Sequence, residues 1–188
     1  KIYSILETAT MWFQENLYER DAVNSIKYLE SRKLTKETIK KFKIGYSYNS
    51  KVTLYKFLKE QSFKDEDIIK SNLVKVKEKD NVKDYFYKRI IFPILDERGK
   101  VVGFGGRSLG DINPKYINSP ESYFFKKRNL LYNLFNAKNP ARRKNNLLIC
   151  EGYMDVISLN QNGIESVVAP LGTSFTEQQL NLAWKYSS

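Results

Sequence analysis

Two short apolar runs, residues 146–150 and 166–169, flank one helical stretch from about 153 to 162 that Gly163 ends. A second helix follows the latter run, capped by Thr176 and reaching about Lys185. Strand, helix, strand, helix in that order requires parallel strands joined by a right-handed crossover. This is the start of an α/β sheet. Two strands do not complete one, so they either join strands from elsewhere in the chain or belong to a larger sheet.

Upstream the periodicity differs. Ile2, Ile5, Leu6, Ala9, Trp12 and Phe13 recur at helical spacing, predicting an amphipathic helix to about Tyr18. Ala22, Val23, Ile26 and Leu29 mark a second helix. Thr35 is placed to cap a third that buries Ile39 and Phe42, and Gly45 is expected to end this helical region. Residues 52–58 and 65–70 read as two further short helices. After Asp84 the pattern becomes β-rich. Residues 90–95 and 101–104 flank Asp96-Glu97-Arg98-Gly99, a connection suited to a hairpin built on a type I turn. Pro93 lacks a ladder donor and is expected at an edge or bulge. Residues 115–117 suggest a third strand, and 131–137 a helix ended by Asn139-Pro140. The expected fold is thus α/β in the mixed α+β sense. A helical, basic first part with a small antiparallel sheet (residues 1–144) precedes a parallel α/β unit (residues 145–188).

Charge follows the same division. The chain carries a formal +11. Residues 151–188 hold Glu151, Asp155, Glu165 and Glu177 against Lys185 alone, a net −3, which leaves +14 for residues 1–150. A basic body beside a mildly acidic end suits a polyanion partner next to a carboxylate site. A solvated Lys-rich surface accounts for the composition equally well. With no His and a single Cys150 the chain builds neither an internal disulfide, nor a nitrogen/sulfur zinc site, nor a Ser-His-Asp triad. That cysteine usage suggests a reducing compartment, and no apolar run approaches the ~20 residues of a membrane span. Lys1 is not an initiator methionine, and the chain reads as a fragment.

Glu151 follows the 146–150 strand directly, at the strand end where open α/β sheets place their ligands. Gly152 is expected to allow a sharp turn close to a ligand. Asp155 lies one helical turn on, so the two carboxylates could hold a hard cation such as Mg²⁺, or simply complement the helix dipole. Gly172, Thr173 and Ser174 precede a helix and suit either a phosphate or an ordinary capped loop. Gly103, Gly105 and Gly106 lack the following helix of a dinucleotide fingerprint. They are read as a bare strand open to a ligand or another backbone. Cations and aromatics interleave at Tyr85, Phe86, Tyr87, Lys88 and Arg89, and again from Tyr123 to Arg128. Such mixtures hold single-stranded nucleic acid. Phe86 and Phe125 are expected in the core.

Five blocks occur in order: Arg89-Ile90-Ile91-Phe92-Pro93-Ile94, Gly99 to Arg107, Pro114-Lys115-Tyr116-Ile117-Asn118-Ser119-Pro120-Glu121, Glu151-Gly152-Tyr153-Met154-Asp155, and Leu171-Gly172-Thr173. This ordered set closely resembles the catalytic core of DnaG-type bacterial primases. The earlier stretches Tyr28 to Arg32 and Phe42 to Tyr46 also look like that family's amino-terminal core. The resemblance implies an RNA-polymerase subdomain followed by a Toprim fold, making short RNA primers from ribonucleoside triphosphates on single-stranded DNA. It implies that Glu151 is a metal ligand or acid/base group, with Asp155 its acidic partner. Arg32, Arg89, Arg107, Lys115 and Lys127 would line the template and nucleotide groove, with Asn118 in its signature loop and Gly152, Gly172 and Thr173 beside the nucleotide. Mg²⁺ or Mn²⁺ would be the cofactor. Zinc would belong to an absent amino-terminal domain, and a replicative helicase to an absent carboxyl-terminal one. The setting implied is cytoplasmic and the fragment monomeric. Tyr85 and Tyr87 stand where many relatives carry arginines. The Toprim Asp-x-Asp ligands are expected beyond Ser188, so this fragment is expected to be inactive alone. A single-strand-binding module, or another Toprim enzyme such as a topoisomerase or nuclease, remains as an alternative.

Overall fold

The protein is described by a computed structural model covering residues 1–47, 53–76, 82–172 and 174–187. The first helix, α1 (Ile2–Asn16), buries Ile5, Leu6, Ala9, Trp12 and Phe13 along one face. After it come α2 (Val23–Ser31) and α3 (Lys36–Lys41). Thr35 caps α3, its hydroxyl accepting from the Thr38 N–H at 3.1 Å, and Ile39 and Phe42 are buried as expected. Gly45 does not simply end the helices. It opens a strand, β1 (Gly45–Ser47), too short for its alternation to show in the sequence.

Two further helices follow, α4 (Leu54–Glu60) and α5 (Asp65–Lys70), and then an unforeseen two-stranded ribbon, β2 (Val74–Val76) with β3 (Val82–Asp84). The Asp84 carboxylate accepts the main-chain N–H groups of Leu54 and Tyr55 at 2.8 and 3.1 Å, tying the ribbon to the start of α4.

The expected hairpin is β4 (Arg89–Leu95) with β5 (Val101–Ser108). Asp96 and Lys100 close it, Gly99 takes φ +83°, and the Asp96 side chain accepts from the Arg98 and Lys100 N–H groups. With β6 (Tyr116–Asn118) the antiparallel sheet runs β1-β4-β5-β6. β4 is therefore interior. Pro93 is accommodated because β1 reaches only Ile91 on that side, and the register shifts just beyond, between Ile94 and Leu95.

Both faces of this sheet are covered, which is why β4 is apolar nearly throughout. Ile91 and Phe104 face α1, where Phe13 sets its ring edge-on to Phe104 at 5.4 Å. Ile90, Phe92 and Ile94 face the carboxyl-terminal part of the chain. There the strands are β7 (Leu131–Tyr132), β8 (Leu148–Ile149) and β9 (Val167–Pro170), in the order β7-β9-β8. β8 and β9 are parallel as predicted, while β7 adds antiparallel. The pair thus forms its own sheet and does not extend the hairpin.

Between β7 and β8 lies α6 (Leu134–Lys144), which corrects the helix expected over 131–137. Leu131 and Tyr132 are strand, Asn133 turns the chain with φ +70°, and the helix continues through Pro140. An interior proline costs a helix ~3 kcal/mol. Burial of Leu134, Ala137, Pro140 and Ala141 offsets that cost, three of these packing against Val168 and Ala183. The remaining helices are α7 (Tyr153–Gln161) and α8 (Glu177–Trp184). Along β9, Val167 and Ala169 face the core shared with the first sheet, and Val168 faces α6 and α8. Among the described residues no helix is long and apolar enough to cross a membrane.

Gly45 gives the sharpest test of this packing. A Cβ there would lie 2.5 Å from the carbonyl carbon of Phe13, so the backbone of α1 would have to move. Gly45→Ala is expected to cost about 3 kcal/mol, the upper range for overpacking. Urea unfolding reads this, and a loss below about 0.5 kcal/mol would contradict the fit of α1 on β1.

Candidate active site

The strand β8 delivers Glu151 to the surface at its carboxyl end, and α7 begins two residues later. Gly152 has φ −137°, a conformation any residue adopts, so the turn does not require glycine there. Asp155 lies in the first turn of α7, and a Cβ on Gly152 would sit 3.5 Å from its Oδ2. Burial raises the Cys150 thiol above its ordinary pKa, and the Asp155 charge adds to this, which places that carboxylate close to the end of β8.

Opposite stand the cations. Arg107 is on β5 and shares a face with Ile90 and Phe92. Its guanidinium lies 3.9 Å from the Tyr28 ring centroid and 5.8 Å from that of Tyr116, and its Nε donates to the Tyr116 hydroxyl at 3.2 Å. Burial raises the Tyr28 hydroxyl, with Arg107 partly opposing it. Arg32, Lys115, Tyr116, Asn118 and Gly172 complete a cleft of about 520 Å³ that also takes in Glu151, Gly152 and Asp155. Among the described residues, neither the two carboxylates nor Arg32, Arg107 or Lys115 takes part in a salt bridge. Opposite charges thus face one cleft without neutralising each other.

Two aromatic rings that do not stand out in the sequence hold the cleft together. Tyr153 opens α7 with its ring stacked on Phe92, centroids 5.2 Å apart and planes 4° from parallel. It fits because β5 has Gly105 opposite Phe92, and a Cβ there would meet the Tyr153 ring at 2.5 Å. The Tyr153 hydroxyl donates to Asn118 Oδ1. The Asn118 amide nitrogen donates to the Leu171 carbonyl at 2.6 Å, and the Asn118 carbonyl accepts from the Tyr85 hydroxyl at 3.1 Å. Asn118 is a strut between β6 and the loop after β9. Phe125 seats on Gly103 and Phe86 on Gly106. The bare strand therefore receives aromatic side chains, in place of the ligand or backbone expected from sequence. Phe86 and Phe125 are core, as predicted.

Some predicted site residues are not brought to the cleft. Arg89 is buried, and its guanidinium donates to the carbonyls of Gly106, Lys115 and Pro114 at 3.3, 3.2 and 2.8 Å. It fixes the loop that carries Lys115. Lys127 lies in a 3-10 turn (Lys127–Asn129) away from the cleft lining. Gly172 does line the cleft, but the amino end of α8 is closed by a capping box of Thr176 and Gln179 four to seven residues later. That box takes up the Thr176 and Gln179 N–H groups. Thr173 lies outside the described residues. Arg107 and Tyr28 could have been paired from the Arg107 and Tyr28 blocks only by knowing that α2 crosses the end of β5.

No group of three or more His, Cys, Asp or Glu side chains arranged to hold a metal ion occurs among the described residues. Two carboxylates beside cations suit Mg²⁺, which often takes one or two carboxylates and completes its shell with water and substrate phosphate. Glu151 and Asp155 fit that partial role. The strut can be tested separately. Tyr153→Phe keeps the stacked ring and leaves Asn118 Oδ1 without its donor, so a loss of about 1–2 kcal/mol is expected in urea unfolding. An unchanged midpoint would show that the hydroxyl holds nothing.

Comparison with known proteins gives the same outline. Residues 12–138 match the family described as DNA primase catalytic core, N-terminal domain, and residues 148–188 match one described as Toprim-like. The DNA primase of Clostridium acetobutylicum is 41% identical over 189 residues, covering 100% of this chain and 31% of that protein. The chain thus spans about a third of the length of such curated relatives. The crystal structure of the Aquifex aeolicus primase, described as its zinc-binding and RNA polymerase domains, superposes with a TM-score of 0.91 at 37% identity. It covers 99% of this chain and 45% of that one. A DnaG primase catalytic domain bound to single-stranded DNA gives a TM-score of 0.86 at 36% identity, covering 99% of this chain and 60% of that one. With two thirds of its length inside the first of these families, and its fold shared throughout, the chain belongs to the DNA primase catalytic cores.

Proposed function

We propose that this chain is the polymerising core of a DNA primase. The enzyme joins ribonucleoside triphosphates into a short RNA primer on single-stranded DNA during replication. The observation that carries this reading is the one cleft in which Arg32, Arg107 and Lys115 face Glu151 and Asp155, none of them in a salt bridge among the described residues. Phosphoryl transfer needs positioning and charge neutralisation more than covalent help from the protein. The primer 3′-oxygen bonds to the α-phosphorus of the incoming nucleotide, and pyrophosphate leaves.

Each wall has its part. Arg107, held flat by Tyr28 and Tyr116, presents donors to a phosphate, and Lys115 and Arg32 add charge along the rim. Lys127 is assigned to the strand and nucleotide outside the cleft proper, Gly172 to the nucleotide inside it, and Thr173 to nucleotide binding. Arg89 acts through the Lys115 loop and Asn118 through Leu171, both as positioning residues. Glu151 and Asp155 would hold Mg²⁺ or Mn²⁺. A cation there would offset triphosphate charge and promote loss of the hydroxyl proton.

Residues 1–144 form the basic RNA-polymerase unit and 145–188 the start of the Toprim unit, with β7 and α6 packed across the junction. Zinc is assigned to a separate amino-terminal domain of the parent protein, since this chain has no His and one Cys. Helicase binding is assigned to a carboxyl-terminal domain, and the setting is the cytoplasm. The isolated chain acts as a monomer that binds DNA and makes no primers, two carboxylates being too few to fix the cations.

The test uses both the 188-residue chain and a parent polypeptide extended past Ser188. Glu151→Gln in the long form should lower primer synthesis by roughly 100-fold or more without weakening single-stranded DNA binding. Arg107→Ala and Lys115→Ala should each weaken binding and flatten its dependence on log salt by about 0.7. Full primer synthesis by Glu151→Gln would refute the role assigned to that carboxylate, and full synthesis by the 188-residue chain would refute its expected inactivity.

A further inference from the structure

A second basic surface lies beyond the cleft, on the turn between β6 and β7. Tyr123 at its tip is 96% exposed. Its neighbours on the turn are fixed. Phe125 is fully buried against Gly103, Ser122 and Phe125 exchange two hydrogen bonds of 2.9 and 3.0 Å, and the Lys127 N–H donates to Glu121 Oε1 at 3.1 Å. The turn is thus a firm mount that holds one aromatic ring in water. The isolated ring gains nothing from that position, because burying a side chain of this size is worth about 1.5–3 kcal/mol.

Cations surround the mount. Lys126 and Arg128 line a hollow of about 530 Å³ with Glu121, Ser122, Asn129 and Gln178. The one carboxylate there, Glu121, already accepts the Lys127 N–H. Among the described residues Lys126, Lys127 and Arg128 make no salt bridge. The turn is also bonded to the start of α8. The Thr176 hydroxyl donates to the Arg128 carbonyl at 2.8 Å, and the Gln179 amide to the carbonyls of Lys127 and Leu130. Thr176 lies four residues after Gly172, a cleft residue, and Phe175 between them is 38% exposed. Phe175, Lys126, Arg128 and Tyr123 thus stand on segments bonded to one another, the two cations without a salt bridge among the described residues.

We propose that this turn is an outer subsite for single-stranded nucleic acid, in which Lys126 and Arg128 hold the backbone and an unpaired base stacks on Tyr123. Alternating cations and rings on a rigid surface match what a single strand requires, and the ring serves no paired base. The inference rests on the primase reading of the cleft.

The test measures fluorescence anisotropy of the 188-residue chain with labelled strands of about twelve nucleotides, within the span of one such surface. Tyr123→Ala should weaken binding to oligothymidylate about ten-fold, with an unchanged salt slope, since a lost stack releases no ions. Tyr123→Phe should bind within about two-fold of the wild type. Lys126→Ala and Arg128→Ala should each flatten the salt slope by about 0.7. A duplex of the same length should not distinguish Tyr123→Ala from the wild type. Oligouridylate separates two sources of the strand. A loss confined to oligothymidylate assigns the ring to template, one confined to oligouridylate to primer, and an equal loss to either strand. If Lys115→Ala weakens binding while Tyr123→Ala binds both single strands normally, this inference falls and the primase reading stands. If neither substitution has an effect, the nucleic-acid reading of the cleft falls with it.

Discussion

Tyr153 presses its ring flat against Phe92 because Gly105, opposite Phe92 in the ladder, leaves the space empty. The contact joins the two halves of the molecule. Phe92 belongs to the antiparallel sheet, and Tyr153 is the first residue of α7, two positions after Glu151. Tyr132, from the strand added to the second sheet, closes the far side edge-on at 4.6 Å. Burial of these rings supplies the adhesion, and the hydroxyl bond to Asn118 supplies direction. Without the ring the acidic loop would have no fixed height above Arg107.

Charge in the cleft is arranged for a visitor. Exposed ion pairs form readily whenever lysine or arginine stands near a carboxylate, as Lys59 and Asp65 do at 2.9 Å. Glu97 shows the same habit. Burial works to raise its pKa, but bonds from Lys185 and Tyr186 outweigh burial and hold it below the ordinary value. The cleft is different, with like charges gathered on each wall and, among the described residues, no salt bridge across it. Bringing Arg89 inside sharpens this contrast. Burial lowers its pKa, and its terminal nitrogens donate to three carbonyls, so it shapes the wall without adding to the open charge.

Elements written as long periodic stretches are readable in the sequence: α1, the hairpin with its Asp96-Gly99 turn, and the parallel pair around α7. Caps at Thr35 and Thr176 are readable too, because hydroxyl capping is local chemistry. The elements that escape a sequence reading are tertiary. β1 and β7 have three and two residues, and each exists because a longer strand offers an open edge. Pro140 inside α6 reads as a helix end when proline's local penalty is weighed without the burial that offsets it. At the site, Glu151, Asp155, Arg32, Arg107 and Lys115 can be named from the order of strands and the matched blocks. Arg89 cannot be told from them, since burial of an arginine depends on which carbonyls surround it. The glycines of β5 are visible in the sequence, but the space above them is filled by residues 86, 125 and 153, most of them far along the chain.

The cleft's two walls rest on different supports. Arg107 stands on a strand paired on both sides, within a sheet buried on both faces. Glu151 follows β8, whose ties to β9 include bonds from the Leu148 and Cys150 N–H groups to the Ser166 and Val168 carbonyls, both 2.8 Å. The position of the carboxylates is set also by the anchored start of the next helix. Tyr153 fixes that end of α7 to the first sheet, and Asn118 ties Leu171, just past the end of β9, to the same sheet. The acidic wall thus takes its register from the basic wall, across the space where a strand and a nucleotide have to meet.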